Sequence, residues 1–343
     1  MAVPQGAATF SPSPAKATNF MQSVTGLLIA LGLIGWSYRQ PASAEEFPSK
    51  PITIMVGLAA GGITDVTARL YAEVVSRNVG QRINIENRPA AGGAVAAASV
   101  QNAPADGYTL LVFSGSQHAT VAAMGSAPYD PVQGFTFVTL LFNSVVAVVV
   151  PPDSPATTLA QLFDIGRARP GGLAMGTPGL GSPAHLLGAR LALAGNVPVQ
   201  AVHYRGGAPM MTDVLTGRVD FAVVTLSTSR TFLAEKKLRA LAVDAEQRWP
   251  ALPEVPTLAA LGYGKEKVAN WFGLAAPPAM SAALVGRLNA EFIKASRDGD
   301  LIRRLAENGT PIVTSTPDEM HELMVHETAA MVDLVKILGI RAQ

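Results

Sequence analysis

Short apolar runs alternate with stretches of helical periodicity along the chain after residue 46, and this alternation limits the possible folds more than any other feature. The runs with strand length and β-branched content are residues 52–57, 109–113, 145–150, 199–203, 219–224 and 238–243. Helical spacing predicts helices near 64–79, 158–168, 182–194, 208–216, 281–297 and 316–338. In the first of these, Val66, Leu70 and Val74 form the predicted apolar stripe. Nearly continuous apolar strands between helices predict an α/β protein with mostly parallel sheets covered by helices on both faces.

The 343 residues suit about two such domains, which would leave a ligand cleft between two lobes. Two Pro-rich segments, PPDSPA at 151–156 and GLAAPPAM at 273–280, predict where the chain passes between lobes. We therefore expect lobe 1 to comprise 47–147 plus 275–343, and lobe 2 to be the inserted segment 148–274.

The N-terminal 44 residues have the pattern of a secretory signal peptide. The apolar run at 24–36 is followed by SYRQPASA, which ends in the small-x-small triplet Ala42-Ser43-Ala44. The run is shorter than the roughly 20 apolar residues that a spanning helix needs. We predict cleavage after Ala44 and export to the periplasm, with Met1 or Met21 as the start.

Composition excludes several classes of function. There are 26 Lys and Arg against 25 Asp and Glu, with no basic block, so the charge pattern that nucleic-acid binding needs is missing. With no cysteine, the chain has no disulfides, thiolate metal sites or Cys nucleophiles. Hydrophobic residues make up 49% and charged residues 15%, which excludes disorder over most of the length.

Three glycine-rich turns each follow a predicted strand and open a helix: AAGGITD at 59–65, GTPGLGSPAH at 176–185 and YRGGAP at 204–209. Free backbone N–H groups and the helix dipole favour an anion at such positions. Glycine allows a close approach of the backbone, and Thr64 and Ser182 could cap their helices while offering a hydroxyl. Each turn alone also fits an ordinary tight turn, but three at corresponding strand ends favour an anion-binding cleft.

Motifs for catalysis and cofactors are missing. After Gly179 and Gly181 the third glycine of G-x-G-x-x-G is absent, and there is no P-loop, G-x-S-x-G or H-E-x-x-H. Of the five histidines, His118 follows a strand end and is expected near the cleft, whereas the others read as structural or solvent-facing. We predict no catalytic residue, no metal and no cofactor.

Several segments occur in an order that resembles the Bug family, the extracytoplasmic solute receptors of tripartite tricarboxylate transporters. They are FPSKPITIMVG with AAGG and TD, ENRPAAGG at 86–93, PADGYTLL at 104–111, G-PG-GSPAHL at 176–186, YRGGAP, KLRALAV at 237–243 and PEVPTL at 253–258. The similarity spans about 47–340. It implies a two-lobed, type II-like periplasmic binding protein that closes on a small carboxylate, delivers it to a membrane permease and performs no catalysis. We expect a monomer.

The resemblance also implies which positions bind the ligand. By this analogy the site comprises Ala60, Gly61, Gly62 and Thr64 from the first turn, Ser114, Ser116 and Gln117 after the 109–113 strand, Gly179, Gly181 and Ser182 on the opposite lobe, then Tyr204 and Thr225. The sequence departs from the family at Ile63 and at Val224-Thr225, where many members carry Asp-Asn. If Val224 faces the cleft, an ammonium group has no carboxylate there and an amino acid is a poor ligand. The alternative is that Val224 points into the helix-covered face.

Two other functions fit the same sequence: a receptor that feeds a signalling system, and an α/β hydrolase-like enzyme. The first would have the same cleft, whereas the second requires an acid or base with a perturbed pKa in it.

Overall fold

The structure is a computed structural model that describes Met1, Ala2 and residues 47–340. The predicted signal peptide therefore lies almost entirely outside the described residues. Among the helices of the described part, none is long and apolar enough to cross a membrane.

In the described part of the chain, ten strands form two five-stranded sheets. They are β1 Ile52–Val56, β2 Ile83–Asn87, β3 Thr109–Ser114, β4 Thr136–Asn143, β5 Val146–Val150, β6 Leu173–Thr177, β7 Val199–His203, β8 Phe221–Thr225, β9 Arg239–Asp244 and β10 Trp271–Ala276. The first sheet has the order β2-β1-β3-β10-β4 and the second β7-β6-β8-β5-β9. In each sheet one strand, β10 or β5, runs antiparallel to both of its neighbours, so the sheets are mixed but mostly parallel.

Within residues 47–340, ten α-helices connect and cover these strands. They are α1 Ile63–Val79, α2 Ala94–Gln101, α3 Gly115–Ala123, α4 Leu159–Ala168, α5 Pro183–Ala194, α6 Gly207–Leu215, α7 Leu226–Ala234, α8 Ala282–Ala295, α9 Gly299–Glu307 and α10 Pro317–Leu338. Short 3-10 turns lie at Ala91–Gly93 and Gly264–Glu266. In the first lobe, built on the first sheet, α10 packs against α3 and β4, and α1 packs against β2 and α8.

The two lobes repeat one topology. β1, β2 and β3 with the helices that follow them correspond to β6, β7 and β8 with theirs, and the reversed strand occupies the same place in both sheets. The chain changes sheet between Asn143 and Val146, and again between Asp244 and Trp271. Each reversed strand is thus the first strand that the chain forms after it changes sheet.

Helix α1 corrects one detail of the predicted stripe. Leu70 and Val74 are buried, but Val66 is 36% exposed. The buried face instead runs through small and polar residues, including Thr67, Ala68 and Tyr71, because the first turn of the helix lies against the β1–α1 loop and carries a buried Asp65.

Candidate functional site

A pocket opens in the first lobe, at the carboxyl ends of β1 and β3. The β1–α1 loop, the 3-10 turn at Ala91–Gly93 and the first turn of α3 surround it. Its lining consists of Gly57, Leu58, Thr64, Gly92, Gly93, Ala97, Leu111, Val112, Phe113, Ser114, Gln117 and His118. Parallel strands bring their following loops to one edge of the sheet, so residues distant in sequence meet here.

Two buried hydroxyls of this lining have no hydrogen-bond partner among the described residues. Thr64 is 1% exposed and Ser114 is 5% exposed, and neither side-chain oxygen is paired. The predicted cap role of Thr64 was wrong, because the N-cap of α1 is Gly62 and Thr64 lies in the first turn. Buried polar groups in native proteins nearly always form hydrogen bonds with protein or with water. These two hydroxyls therefore indicate a hydrogen-bond partner that is a ligand or a water molecule.

The pocket lining carries no charge at neutral pH. Its one titratable side chain, His118, stacks on Tyr129 at 4.4 Å between ring centroids and meets Phe135 edge-on at 5.0 Å. Burial lowers the pKa of His118 to about 3, so the ring is neutral. Hydrogen bonding by neutral groups is therefore the chemistry that this pocket offers.

The β1–α1 loop contains the predicted residues Ala60, Gly61 and Gly62, all of them exposed. Gly61 has φ +80°, and its N–H donates to Asp65 Oδ2 at 2.9 Å. Burial pushes up the pKa of Asp65, but hydrogen bonds from Arg69 and the Gly61 amide outweigh it and hold the pKa below its ordinary value. The Gly61 amide is therefore already paired, and a ligand would meet other groups of this loop.

The corresponding loop of the second lobe contains Gly179, Gly181 and Ser182. Ser182 is the N-cap of α5, as predicted, and its Oγ accepts from His185 N at 3.2 Å. This bond leaves the hydroxyl proton free to donate. Gly181 has φ +70°, and a Cβ there would lie 2.9 Å from Thr120 Cγ2 in α3. The second-lobe loop thus packs directly on the helix that begins at the first-lobe pocket.

The remaining predicted residues fall into two groups. Gln117 lies in the pocket, whereas the Ser116 hydroxyl is fully buried and donates to Ala269 O at 2.7 Å, which ties α3 to the segment before β10. Tyr204 donates its hydroxyl to Asp213 Oδ2 at 2.7 Å. Thr225 Oγ1 lies 2.9 Å from the hydroxyls of Ser227 and Thr228 at the start of α7. The structure therefore brings Thr64, Ser114 and Gln117 together, and gives Ser116, Tyr204 and Thr225 partners within the protein.

Val224 does not face the pocket. It is 2% exposed and packs in the apolar cluster of the second lobe with Val145, Met210 and Val214. Of the two orientations considered for Val224, the one toward the helix-covered face is confirmed, so the condition for the argument against an amino-acid ligand is not met.

The glycine pair Gly92 and Gly93 lines the pocket but was not among the predicted site residues. Both have positive φ, and a Cβ on Gly57 would lie 2.6 Å from Gly93 Cα. The ENRPAAGG segment was visible in the sequence, but only the close approach of the two backbones shows why two glycines are needed there.

Within the described ranges, no group of three or more His, Cys, Asp or Glu is placed to hold a metal ion.

Comparison with known proteins places these features in a family. The family model for the tripartite tricarboxylate transporter family receptor, TctC, matches residues 67–340. The chain is 30% identical to protein BugT of Bordetella pertussis over 319 residues, 92% of this chain and 97% of that protein.

Two solved structures are also similar to this chain. An R. palustris protein solved with adipate is 32% identical with a TM-score of 0.81, covering 86% of this chain and 99% of that one. MatC from Rhodopseudomonas palustris with bound malate is 29% identical with a TM-score of 0.78, covering 84% and 100%. The chain belongs to the Bug family of periplasmic solute-binding receptors of tripartite tricarboxylate transporters.

Proposed function

We propose that this receptor captures a small carboxylate between its lobes and delivers it to the membrane permease of a tripartite tricarboxylate transporter. The observation that carries the proposal is the pair of buried, unpartnered hydroxyls of Thr64 and Ser114 in an uncharged pocket. Both are donors, and a carboxylate is an acceptor of several hydrogen bonds. The similar chains with adipate and malate bound support the choice of ligand class.

The second lobe would complete the site through Ser182, whose hydroxyl proton is free, and through the N-terminus of α5. Helix N-termini favour anions because their first N–H groups lack intrahelical partners. Since Gly181 packs on α3 near the pocket, closure of the lobes brings this helix end toward a ligand seated in the first lobe.

A screen of mono-, di- and tricarboxylates by thermal shift tests the ligand class. A ligand present at 100 times its dissociation constant stabilises the folded state by about 2.7 kcal/mol. If no carboxylate raises the melting temperature and calorimetry detects no heat of binding, the proposal is wrong. A product formed from any of these acids would point to an enzyme instead.

The pocket assignment is tested by Thr64→Val. Because the hydroxyl has no partner, its replacement by a methyl group of the same shape should leave the ligand-free protein equally stable or more stable by about 1 kcal/mol. The same change should weaken carboxylate binding about 10-fold, since a hydrogen bond to a charged group contributes about 1.5–3 kcal/mol.

Thr67→Val is the matched control for Thr64→Val. Thr67 lies in the same helix, is fully buried and also has an unpartnered hydroxyl, but it does not line the pocket. We expect the stability of this variant to change as in Thr64→Val and its affinity to stay that of the wild type. Equal affinities in both variants, measured by calorimetry, would remove Thr64 from the site.

We also propose that the chain is exported with cleavage after Ala44 and that the mature receptor is monomeric. N-terminal sequencing of periplasmic protein should read Glu45 first. Material that still begins before residue 24 contradicts this assignment.

A further inference from the structure

The two loops at the proposed site are built as one and the same turn. Gly62 N donates to Ala59 O at 3.3 Å, and Ser182 N donates to Gly179 O at 3.2 Å. The preceding glycines, Gly61 and Gly181, both have positive φ.

In each loop, a side chain four residues further along the helix holds the glycine amide. Gly61 N–H donates to Asp65 Oδ2 at 2.9 Å, and Gly181 N–H donates to His185 Nδ1 at 3.2 Å. Asp65 and His185 therefore occupy equivalent positions, and both act as hydrogen-bond acceptors.

The residues next to the two acceptors also correspond, because each is the last residue of the equivalent strand in its lobe. Asn87 ends β2 and donates through Nδ2 to Leu58 O at 3.1 Å. His203 ends β7, lies 2.7 Å from Thr177 Oγ1 through Nδ1, and meets the His185 ring edge-on at 4.7 Å. Asn87 thus braces the loop after β1, and His203 contacts the last residue of β6 together with the ring of His185.

The two acceptors, Asp65 and His185, differ in charge. The Asp65 carboxylate is balanced by Arg69, whose Nη2 lies 2.9 Å from Oδ1, whereas the position equivalent to Arg69 in the second lobe is Ala189. Burial, and to a smaller extent the neighbouring His203, lower the pKa of His185 to about 4. A neutral imidazole therefore needs no counter-ion, and Nδ1, as acceptor, leaves the proton on Nε2.

We propose that His185 is a positioning residue of the receptor: its neutral imidazole holds the Gly181 amide through Nδ1 and so shapes the loop from which Ser182 meets the ligand. The inference rests on the proposed function for its effect on affinity. His185 itself need not touch the ligand, because it supports the loop from within α5. Ser182 is linked to the same residue, since its Oγ accepts from the His185 backbone N–H.

Substitutions at His185 distinguish the effect of the Nδ1 acceptor from the effect of the imidazole ring itself. His185→Leu removes the acceptor and should weaken carboxylate binding about 10-fold. His185→Asn places a neutral acceptor near the position of Nδ1 and should recover most of that loss. His326→Leu, at an exposed histidine of α10, is the matched control and should bind as the wild type does.

Introducing the Asp65–Arg69 pair of the first lobe at the equivalent positions 185 and 189 gives a stronger test. His185→Asp supplies an acceptor but adds an uncompensated negative charge beneath an anion site, so we expect affinity to fall at least as far as in His185→Leu. Adding Ala189→Arg rebuilds the Asp65–Arg69 pair in the second lobe and should restore affinity to within about 3-fold of the wild type.

Nuclear magnetic resonance tests the inference without any ligand. We expect His185 Nδ1 to be unprotonated at pH 7 and the Gly181 amide to exchange slowly in the wild type, and to exchange faster in folded His185→Leu. A protonated Nδ1, or a folded His185→Leu protein with wild-type affinity and amide exchange, overturns the proposal. A wild type that binds no carboxylate refutes the proposed function alone, and a His185→Leu protein that fails to fold leaves the Asn, Asp and resonance results to decide.

Discussion

At the scale of single residues, the buried carboxyl of Glu327 has a pKa well above its ordinary value. It lies in α10, is 7% exposed, and its Oε1 has no hydrogen-bond partner within the described chain. Burial raises the pKa of Glu327 to about 7, and an interaction with the indole of Trp271 offsets only part of this rise. The protonated form therefore predominates inside the protein below about pH 7.

Glu327 should make the free energy of unfolding depend on pH. The folded state binds the Glu327 proton more tightly than the unfolded state, so stability falls as pH rises from about 4.5 to about 7 and is constant above. Glu327→Gln mimics the protonated form and should be more stable than the wild type at pH 8 by roughly 3 kcal/mol, with little difference at pH 4. Urea unfolding at several pH values measures this. Glu322→Gln removes an exposed carboxylate from the same helix and is the control; a parallel pH curve for Glu327→Gln and the wild type contradicts the prediction.

At the scale of elements, the start of α3 is packed so closely on β10 that no side chain fits. A Cβ on Gly115 would lie 2.0 Å from Trp271 Cζ2. The same helix is tied to the preceding segment by the bond from Ser116 to Ala269. The position of α3, and with it Ser114 and Gln117, therefore depends on the strand that returns from the second lobe.

We expect Gly115→Ala to lower the free energy of unfolding by about 1–3 kcal/mol, because the indole must move within a packed core. Gly286→Ala in α8 is the matched comparison, since no atom lies within 4 Å of the added methyl group and glycine is unfavourable inside a helix. That variant should gain up to about 1 kcal/mol. Chemical denaturation of both variants tests the contrast, and equal stabilities would show that the Trp271 contact is not restrictive.

Elements with amphipathic or apolar periodicity could be predicted from the sequence, whereas several elements without it could not. The six predicted strands and six predicted helices all occur, with ends shifted by up to about two residues. α3 and α7 begin GSQH and LSTS and show no apolar stripe. In α3 the first seven residues are all buried, so burial leaves no periodic pattern to read.

Four strands were not predicted, β2, β4, β6 and β10, and the structure gives a reason for two of them. β2 is half-buried along most of its length and has the polar sequence INIEN. β10 was read as part of a linker because its Gly273 and the prolines that follow are typical of turns. In the structure, Gly273 lies in mid-strand because Met320 of α10 occupies the space above it. Such a constraint comes from a residue 47 positions away and leaves no trace in the local pattern.

The candidate site was predictable in outline, and its hydrogen bonds were not. The glycine turns marked the two loops correctly as strand-to-helix connections. Whether a group can bind a ligand depends on the hydrogen bonds it already makes. The Tyr204 hydroxyl donates to Asp213, and the Gly61 and Gly181 amides donate to side chains of the helices that follow them. The type of residue does not reveal this.

At the scale of the whole molecule, Gly181 connects loop shape to the approach of the lobes. It shares a positive φ with Gly61, but of the two only Gly181 lies against the opposite lobe, near Thr120 of α3 and Met124 just after that helix. The Gly61 position is open, with no atom within 4 Å of an added Cβ.

Alanine at these two positions should therefore separate backbone strain from lobe closure. Both variants carry about 1–2 kcal/mol of strain from the left-handed backbone. In Gly181→Ala the added methyl group should also hinder closure of the lobes. We therefore expect this variant to bind carboxylate about 10-fold more weakly than Gly61→Ala. The decrease in radius of gyration on ligand addition, measured by small-angle X-ray scattering, should also be smaller in Gly181→Ala. Equal losses of affinity with equal compaction contradict the prediction.

The position of β10 has a consequence for the order in which the protein is made. The strand lies between β3 and β4, so the first sheet lacks an inner strand until residue 276 has been synthesised. The helices α8, α9 and α10, which cover that sheet, come later still. The lobe that leaves the ribosome first is thus the last to be completed, because its sheet cannot close before β10 joins β3 to β4.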